Sequence, residues 1–274
     1  MPATEAVDPA RAAAQLAACV REAGLLARSM FGGALKTWYK DDLHKNATSP
    51  VSEADIAVDR LLRERLSGDG AGFGWLSEET ADDPARLDQR YVWIVDPIDG
   101  TRAFIAGQPD WAVAAALIDN GRPIAACLYA PVSDELFVAA AGKGATRNGV
   151  AIATAPGSAL AQARIAGPKL FLEKLATAAP PFTAMPRLPS LALRLVRVAQ
   201  GVFDVAIAGP NSHDWDLAAA DLLVHEAGGA MTTFAGEPVT YNRPVPRHGA
   251  LIAAGRDRHA TLIDLLRDRR IAYA

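Results

Sequence analysis

Two aspartates, Asp96 and Asp99, stand directly after an apolar run from Trp93 to Val95. Such a run is typical of the end of a buried strand. Pro97 has a fixed φ and no N–H group, which predicts that the chain leaves the sheet here in a rigid turn. Two carboxylates at one strand end repel each other unless a cation lies between them. The spacing therefore indicates a cation site.

The two residues after this pair suit a phosphate group. Gly100 lets the backbone approach a ligand closely, and Thr101 predicts the start of a short helix whose free N–H groups attract phosphate. The alternative is an Asx-type turn with two solvated aspartates. That alternative explains an isolated pair of aspartates better than it explains the full stretch DPIDGT after a strand.

Further carboxylates stand at the ends of other predicted elements. Glu78 follows a predicted strand, and Asp216 opens a predicted helix. Each alone has a simple explanation, since Glu78 suits a solvated turn and Asp216 suits the positive end of a helix. Together with Asp96 and Asp99 they form a set of hard oxygen donors. Mg²⁺ beside a phosphate requires such a set.

The predicted elements give an α/β protein whose two halves differ in pattern. The first half, 1–152, contains a helix over 9–30, a mobile surface loop over 38–49, a helix from 53, and strands over 72–77, 93–95, 111–117, 123–129 and 135–141. We interpret it as an α+β lobe with an antiparallel sheet that carries the metal and catalytic motifs. The second half, 153–274, contains strands over 164–167, 203–208 and 250–254, and helices over 171–178, 190–199, 215–227 and from 259. We interpret it as an α/β lobe that completes the site.

Composition limits the classes of partner. The net charge of −3 provides no basic field, which argues against a nucleic-acid polymer. Cys19 and Cys127 lie in apolar segments without metal-ligand spacing, which favours buried thiols in a reducing compartment. The sequence shows no export signal and no uncharged run long enough to span a bilayer, so we expect a cytoplasmic protein without a membrane partner.

Three separated motifs resemble the inositol monophosphatase superfamily of Mg²⁺-dependent, lithium-sensitive phosphatases. In chain order they are Ser77-Glu78-Glu79, DPIDGT at 96–101, and Trp215-Asp216 leading to Glu226-Ala227-Gly228-Gly229. The resemblance covers nearly the whole chain. It implies a layered α/β/α/β/α sandwich and a phosphomonoesterase that acts on a small phosphorylated metabolite. Family members are often dimers, which leaves a homodimer as an open expectation.

The resemblance also implies roles for individual residues. One metal ion would be held by Glu78, Asp96 and the carbonyl of Ile98, and another by Asp96, Asp99 and Asp216. The backbone N–H groups of Gly100 and Thr101 would cradle the phosphate. We expect Mg²⁺ at these positions, as two or three ions, with Mn²⁺ as an alternative.

The stretch Ser49-Pro50-Val51-Ser52 to Asp55 separates branches of the family. Inositol monophosphatases have an aspartate at the position of Ser49, whereas the form found here resembles the 3'(2'),5'-bisphosphate nucleotidases. In those enzymes the final aspartate pairs with the DPIDGT threonine to activate water. Asp55 and Thr101, with the carboxylate Glu78, are therefore the expected catalytic residues. The competing explanation of Asp55 is a helix cap alone.

Other positions bear on the substrate. Inositol monophosphatases have a glutamate at the position of Gly209, which favours the nucleotidase branch and the 3'-phosphate of 3'-phosphoadenosine 5'-phosphate as the substrate. His213 before Trp-Asp is the inositol-like feature, although a packed loop histidine explains it equally well. The alternatives are therefore an inositol phosphate, a sugar phosphate or histidinol phosphate. A binding protein that has lost turnover is a third class.

Substrate contacts from the second half of the chain are less defined. Many relatives have a glycine before the position of Ser190, where this chain has Pro189. Ser190 is nevertheless included with His213 among the predicted substrate contacts. Lys169 and Arg194 are the basic residues predicted to hold a second phosphate.

Overall fold

The structure is a computed structural model and describes residues 6–42, 47–67 and 72–268. The α-helices in this part of the chain are α1 Pro9–Met30, α2 Glu53–Ser67, α3 Thr101–Ile105, α4 Lys169–Ala176, α5 Leu191–Ala199, α6 Asp214–Glu226 and α7 Arg256–Asp268. None of these described helices is long and apolar enough to cross a membrane.

A seven-stranded sheet forms the first half of the chain. Its strands, in sheet order, are β3 Gly74–Ser77, β4 Tyr91–Asp99, β5 Ala112–Asp119, β6 Arg122–Ala130, β7 Glu135–Ala140, β8 Ala145–Arg147 and β9 Val150–Ile152. Neighbouring strands are antiparallel except for β3 and β4, which pair in parallel. The antiparallel order follows from short hairpin turns, such as the one at Asn120-Gly121, where both residues have positive φ.

A five-stranded mixed sheet forms the second half. Its sheet order is β11 Thr183–Ala184, β10 Arg164–Ala166, β12 Val205–Ala208, β16 Leu251–Gly255 and β14 Gly229–Thr233. Two small pairs lie outside the large sheets: β1 Thr37–Asp42 with β2 Ala47–Ser52, and β13 Ser212–His213 with β15 Arg247–His248.

The central strand β4 shows how the layers are held together. All nine of its residues are buried, as expected for a strand covered on both faces. Trp93 and Val95 pack in one apolar cluster with α1 and α2, whereas Val92 and Ile94 pack in another with α5 and α6. This alternation follows from the two-residue period of a strand.

The remaining helices complete five layers. The helices α5 and α6 lie between the two sheets, and α4 and α7 cover the outer face of the five-stranded sheet. The order is therefore α/β/α/β/α, which confirms the predicted layered sandwich. The first sheet ends at Ile152 and the second begins at Arg164, yet α6 contacts strands of both sheets. The division into two lobes at residue 152 stays a prediction.

Two sequence predictions of local structure were wrong. The segment 38–49, predicted as a mobile loop, belongs in its described part to the β1–β2 hairpin. Its mixed charges conceal the strand period, and so do Trp38 and Tyr39, because these neighbours point to opposite faces of the strand and both are exposed. In addition, β4 does not end before Pro97 but continues to Asp99. The strand register instead shifts between Asp96 and Asp99, because Pro97 has no N–H for the ladder.

Candidate active site

Three carboxylates from two elements converge at the end of β4. One oxygen each of Asp96, Asp99 and Asp216 lies within 4.8 Å of the others. Asp216 is in the first turn of α6, where its Oδ2 accepts the backbone N–H of His213 at 2.6 Å. The topology therefore brings together carboxylates that the sequence separates widely.

Asp96 is the most deeply buried of the three carboxylates. It is completely buried, and neither of its carboxylate oxygens has a hydrogen-bond partner among the described residues. Burial, together with the neighbouring charges of Glu78, Asp99 and Asp216, raises the pKa of Asp96 well above its ordinary value. A buried carboxylate without a partner is strongly unfavourable unless it is neutralised or binds a cation. The all-oxygen donor set fits a hard divalent cation.

Asp99 is oriented by the beginning of α5. Its carboxylate accepts hydrogen bonds from Ser190 Oγ at 2.5 Å, the Ala192 N–H at 2.6 Å and the Leu191 N–H at 3.3 Å. Burial raises the pKa of Asp99 to about 6, although these hydrogen bonds oppose the change. Ser190 is fully buried and caps α5. The structure thus places Ser190 behind Asp99, where its hydroxyl positions a carboxylate.

Glu78 lines the polar pocket beside these carboxylates. It lies next to Lys40, a residue that was not predicted from the sequence. Lys40 Nζ lies 3.3 Å from Glu78 Oε1 and 2.8 Å from Glu79 Oε1, and it donates to the Glu78 carbonyl at 3.0 Å. Burial and Glu78 raise the pKa of Glu79 to about 7, while Lys40 opposes this change. Lys40 was missed because it belongs to the β1–β2 hairpin, which was predicted as a loop.

Asp55 makes both of the contacts that the sequence offered as alternatives. Its Oδ2 accepts the backbone N–H of Ser52 at 2.8 Å and the Ser52 hydroxyl at 2.6 Å, as in a helix cap. Its Oδ1 accepts from Thr101 Oγ1 at 3.0 Å. Burial raises the pKa of Asp55, although the hydrogen bonds from Ser52 and Thr101 oppose the increase. The carboxylate therefore caps α2 and contacts Thr101 at the same time.

Thr101 connects Asp55 to the end of β4. Its Oγ1 lies 3.0 Å from Asp55 Oδ1 and 3.0 Å from the carbonyl oxygen of Ile98. A hydroxyl has one hydrogen, so Thr101 donates to one of these acceptors at a time. Its lone pairs remain able to accept a hydrogen bond from water.

These groups surround a polar pocket of about 710 Å³. Most predicted site residues line it: Glu78, Ile98, Asp99, Gly100, Thr101 and Asp216. Gly100 has φ of 99°, and a Cβ there would lie 3.0 Å from the carbonyl oxygen of Asp110. A glycine is therefore needed at this turn. The pocket wall also contains Arg102 and Arg187, two cations that the sequence analysis did not select.

The structure places the remaining predicted contacts elsewhere. The His213 ring stacks on Trp215 at 4.5 Å with an angle of 6° between the planes, and His213 is not among the described residues that line the polar pocket. Arg194 is buried and donates to the carbonyls of Leu188 and Ile207, so its predicted contact with a second phosphate is wrong. Lys169 is exposed, lies 3.6 Å from Glu173, and lines a neighbouring cleft.

Comparison with known proteins gives a consistent set of relatives. Residues 8–270 match the protein-family model described as the inositol monophosphatase family. The inositol-1-monophosphatase of Rhizobium meliloti (strain 1021) is 34% identical over 201 residues, which is 70% of this chain and 75% of that protein. The 3'(2'),5'-bisphosphate nucleotidase CysQ of Aggregatibacter actinomycetemcomitans is 30% identical over 216 residues, 73% of this chain and 77% of that protein. The crystal structure of the extragenic suppressor protein suhB from Bartonella henselae superposes with a TM-score of 0.80 at 29% identity, covering 93% of this chain and 98% of that one.

Proposed function

The chain belongs to the inositol monophosphatase family and is a phosphoric monoester hydrolase, and from this premise we propose that it removes the 3'-phosphate of 3'-phosphoadenosine 5'-phosphate in a Mg²⁺-dependent reaction. The main support for the proposed cation dependence is the carboxylate of Asp96. It is buried, both of its oxygens lack a partner among the described residues, and oxygens of Asp99 and Asp216 lie within 4.8 Å. Glu78 and the carbonyl of Ile98 complete the proposed ligand set.

The side chains around this cluster have separate tasks. Bound Mg²⁺ would neutralise the phosphate and lower the pKa of a water molecule beside it. Thr101 orients that water through its hydroxyl lone pairs, and Asp55 Oδ1 receives the proton that Thr101 passes on. The water oxygen forms the new bond to phosphorus, and the bond from phosphorus to the 3'-oxygen breaks. The 3'-oxygen takes a proton from solvent water, and the nucleoside 5'-phosphate leaves with a 3'-hydroxyl.

Two features support the nucleotide as the substrate. The stretch from Ser49 to Asp55 has the nucleotidase form, and Asp55 contacts Thr101 as that form requires. Gly209 stands where inositol monophosphatases have a glutamate, and glycine has no side chain. This position therefore offers no carboxylate to bind inositol hydroxyls. The chain also has a relative that is a bisphosphate nucleotidase.

Inositol 1-phosphate is the second candidate, because the inositol-1-monophosphatase of Rhizobium meliloti shares 34% of its aligned residues with this chain. Phosphate release distinguishes the two substrates directly. We expect the highest kcat/KM with 3'-phosphoadenosine 5'-phosphate, a lower value with inositol 1-phosphate, and no release after treatment with EDTA. A higher kcat/KM for inositol 1-phosphate would contradict the nucleotide assignment. Full activity in EDTA would contradict the cation dependence.

Asp8→Asn is a suitable control for this assay. Asp8 Oδ1 caps α1 by accepting the Ala10 N–H at 3.0 Å and does not line the polar pocket. Asparagine is an equally good N-cap, so both stability and activity should match those of the wild type. Asp96→Asn, in contrast, should abolish phosphate release from every substrate and weaken Mg²⁺ binding measured by calorimetry.

A further inference from the structure

A second cleft adjoins the polar pocket and differs from it in character. It has a volume of about 840 Å³ and is formed mainly by α4 and the chain on either side of β11. Its described walls are largely apolar and include Leu172, Ala176, Phe182 and Met185. A volume of this size is within the range that small-ligand sites occupy. No group proposed for the reaction lies in this α4 cleft.

Arg187 lines both the polar pocket and the α4 cleft. It is exposed and lies in the segment between β11 and α5. Some arginines of the chain have carboxylate partners, such as Arg197 with Glu135 at 2.7 Å. Among the described residues, no acidic side chain forms an ion pair with Arg187. A guanidinium without a carboxylate partner can bind a phosphate through two parallel hydrogen bonds.

We infer that the α4 cleft holds the nucleoside of the substrate and that Arg187 binds the phosphate that is not hydrolysed. This inference rests on the proposed function, because it requires a substrate that already has one phosphate at the acidic cluster. An apolar cleft beside a polar pocket suits a molecule with a flat ring system at one end and phosphate at the other. Inositol phosphate has hydroxyl groups on every side and leaves such a cleft unfilled.

Lys169 has a lesser role at the rim of the α4 cleft. Its ammonium group is 3.6 Å from Glu173 on the same helix, and both side chains are exposed. Such a surface pair contributes little binding energy and is screened by salt. Arg187 is therefore the cation that separates bisphosphorylated substrates from monophosphorylated ones.

The first experiment compares substrates that differ in one group. The kcat/KM values are measured for 3'-phosphoadenosine 5'-phosphate, for 3'-AMP, which lacks the 5'-phosphate, and for inositol 1-phosphate. We expect Arg187→Gln to lower the ratio of the first value to the second about 10- to 100-fold, mainly through KM, because one charge-assisted contact is lost. Arg187→Lys should retain part of the ratio. Arg60→Gln, at an exposed position of α2, is the charge-matched control and should leave the ratio unchanged.

The second experiment fills the α4 cleft. Ala176→Phe places a ring in the cleft and should raise KM for both adenine nucleotides at least fivefold, but not KM for inositol 1-phosphate. Ala260→Phe makes the same change at an exposed position of α7 and serves as the control. Thermal melting of each variant verifies that it is folded.

The outcomes separate this inference from the proposed function. If Arg187→Gln lowers kcat/KM equally for all three substrates, the subsite is wrong and the phosphatase assignment stands. The subsite is also wrong if the wild type hydrolyses both adenine nucleotides with equal kcat/KM. If the wild type hydrolyses inositol 1-phosphate and neither nucleotide, the proposed substrate and the subsite are both wrong.

Discussion

Replacing Asp55 by asparagine separates the two contacts of this carboxylate. Oδ2 accepts from the Ser52 backbone at 2.8 Å, and Oδ1 accepts from Thr101 at 3.0 Å. Asparagine has nearly the same shape and keeps one acceptor oxygen, which can remain on Ser52. Its amide group cannot receive a proton. Asp55→Asn therefore preserves most of the cap on α2 and removes the proposed proton acceptor.

The two roles of Asp55 predict different values of kcat for the asparagine variant. If Asp55 accepts the proton, kcat falls about 10²- to 10⁴-fold, the usual contribution of a positioned acid or base. Burial raises the pKa of Asp55, so at neutral pH the ionised carboxylate lowers the stability of the folded state. Asparagine removes that charge, and we expect the free energy of unfolding to stay constant or to rise by up to about 1 kcal/mol. If Asp55 is a cap alone, kcat stays at the wild-type value, and the free energy of unfolding changes little because asparagine keeps the acceptor on Ser52.

The assay combines steady-state kinetics at saturating Mg²⁺, urea unfolding of the cation-free protein, and calorimetric titration with Mg²⁺. Thr101→Ala should depress kcat more than cation affinity. The double variant Asp55→Asn/Thr101→Ala should be no slower than the slower single variant, because groups that act as one unit are not additive. A kcat for Asp55→Asn within threefold of the wild-type value would refute the reasoning.

Three further predictions follow from particular contacts. Asp99→Asn should weaken Mg²⁺ binding about 10- to 100-fold in calorimetric titration, and unchanged affinity would exclude Asp99 as a ligand. Gly100→Ala should lower the free energy of unfolding by about 1–3 kcal/mol in urea, because φ is 99° and the new Cβ would lie 3.0 Å from the Asp110 carbonyl oxygen; wild-type stability would contradict this. Burial acts to raise the pKa of Glu135, but Arg197 outweighs it and lowers the pKa from 4.5 to about 2, so the stability that Glu135 provides is complete above pH 4.5 and is lost as pH falls towards 2. Glu135→Gln should therefore be less stable than the wild type by about 2 kcal/mol at pH 7, with the difference shrinking below pH 4.5 in thermal melts; a constant difference would refute the assignment.

Much of the fold is encoded locally. The helix over 9–30 and the strands over 111–117 and 123–129 were predicted. Each depends on neighbours in sequence, such as the cap at Asp8 and the turn at Asn120-Gly121. The stretch DPIDGT at 96–101 was also sufficient to indicate a cation site, because adjacent carboxylates at a strand end have few other stable uses. The layered sandwich followed from the family resemblance that these motifs carry.

Other features depend on contacts between distant parts of the chain. Ser190 and Asp99 are 91 residues apart, and only the packing of α5 against β4 shows that the serine hydroxyl supports the carboxylate. Lys40 reaches Glu78 from a hairpin whose strand character is hidden by its exposed faces. Arg187 could be selected only from the tertiary structure, because only there does it line both the polar pocket and the α4 cleft. Residue type and spacing therefore determined which chemistry the chain can perform. The tertiary structure decided which other side chains surround the acidic cluster, because those contacts join segments that share no local pattern.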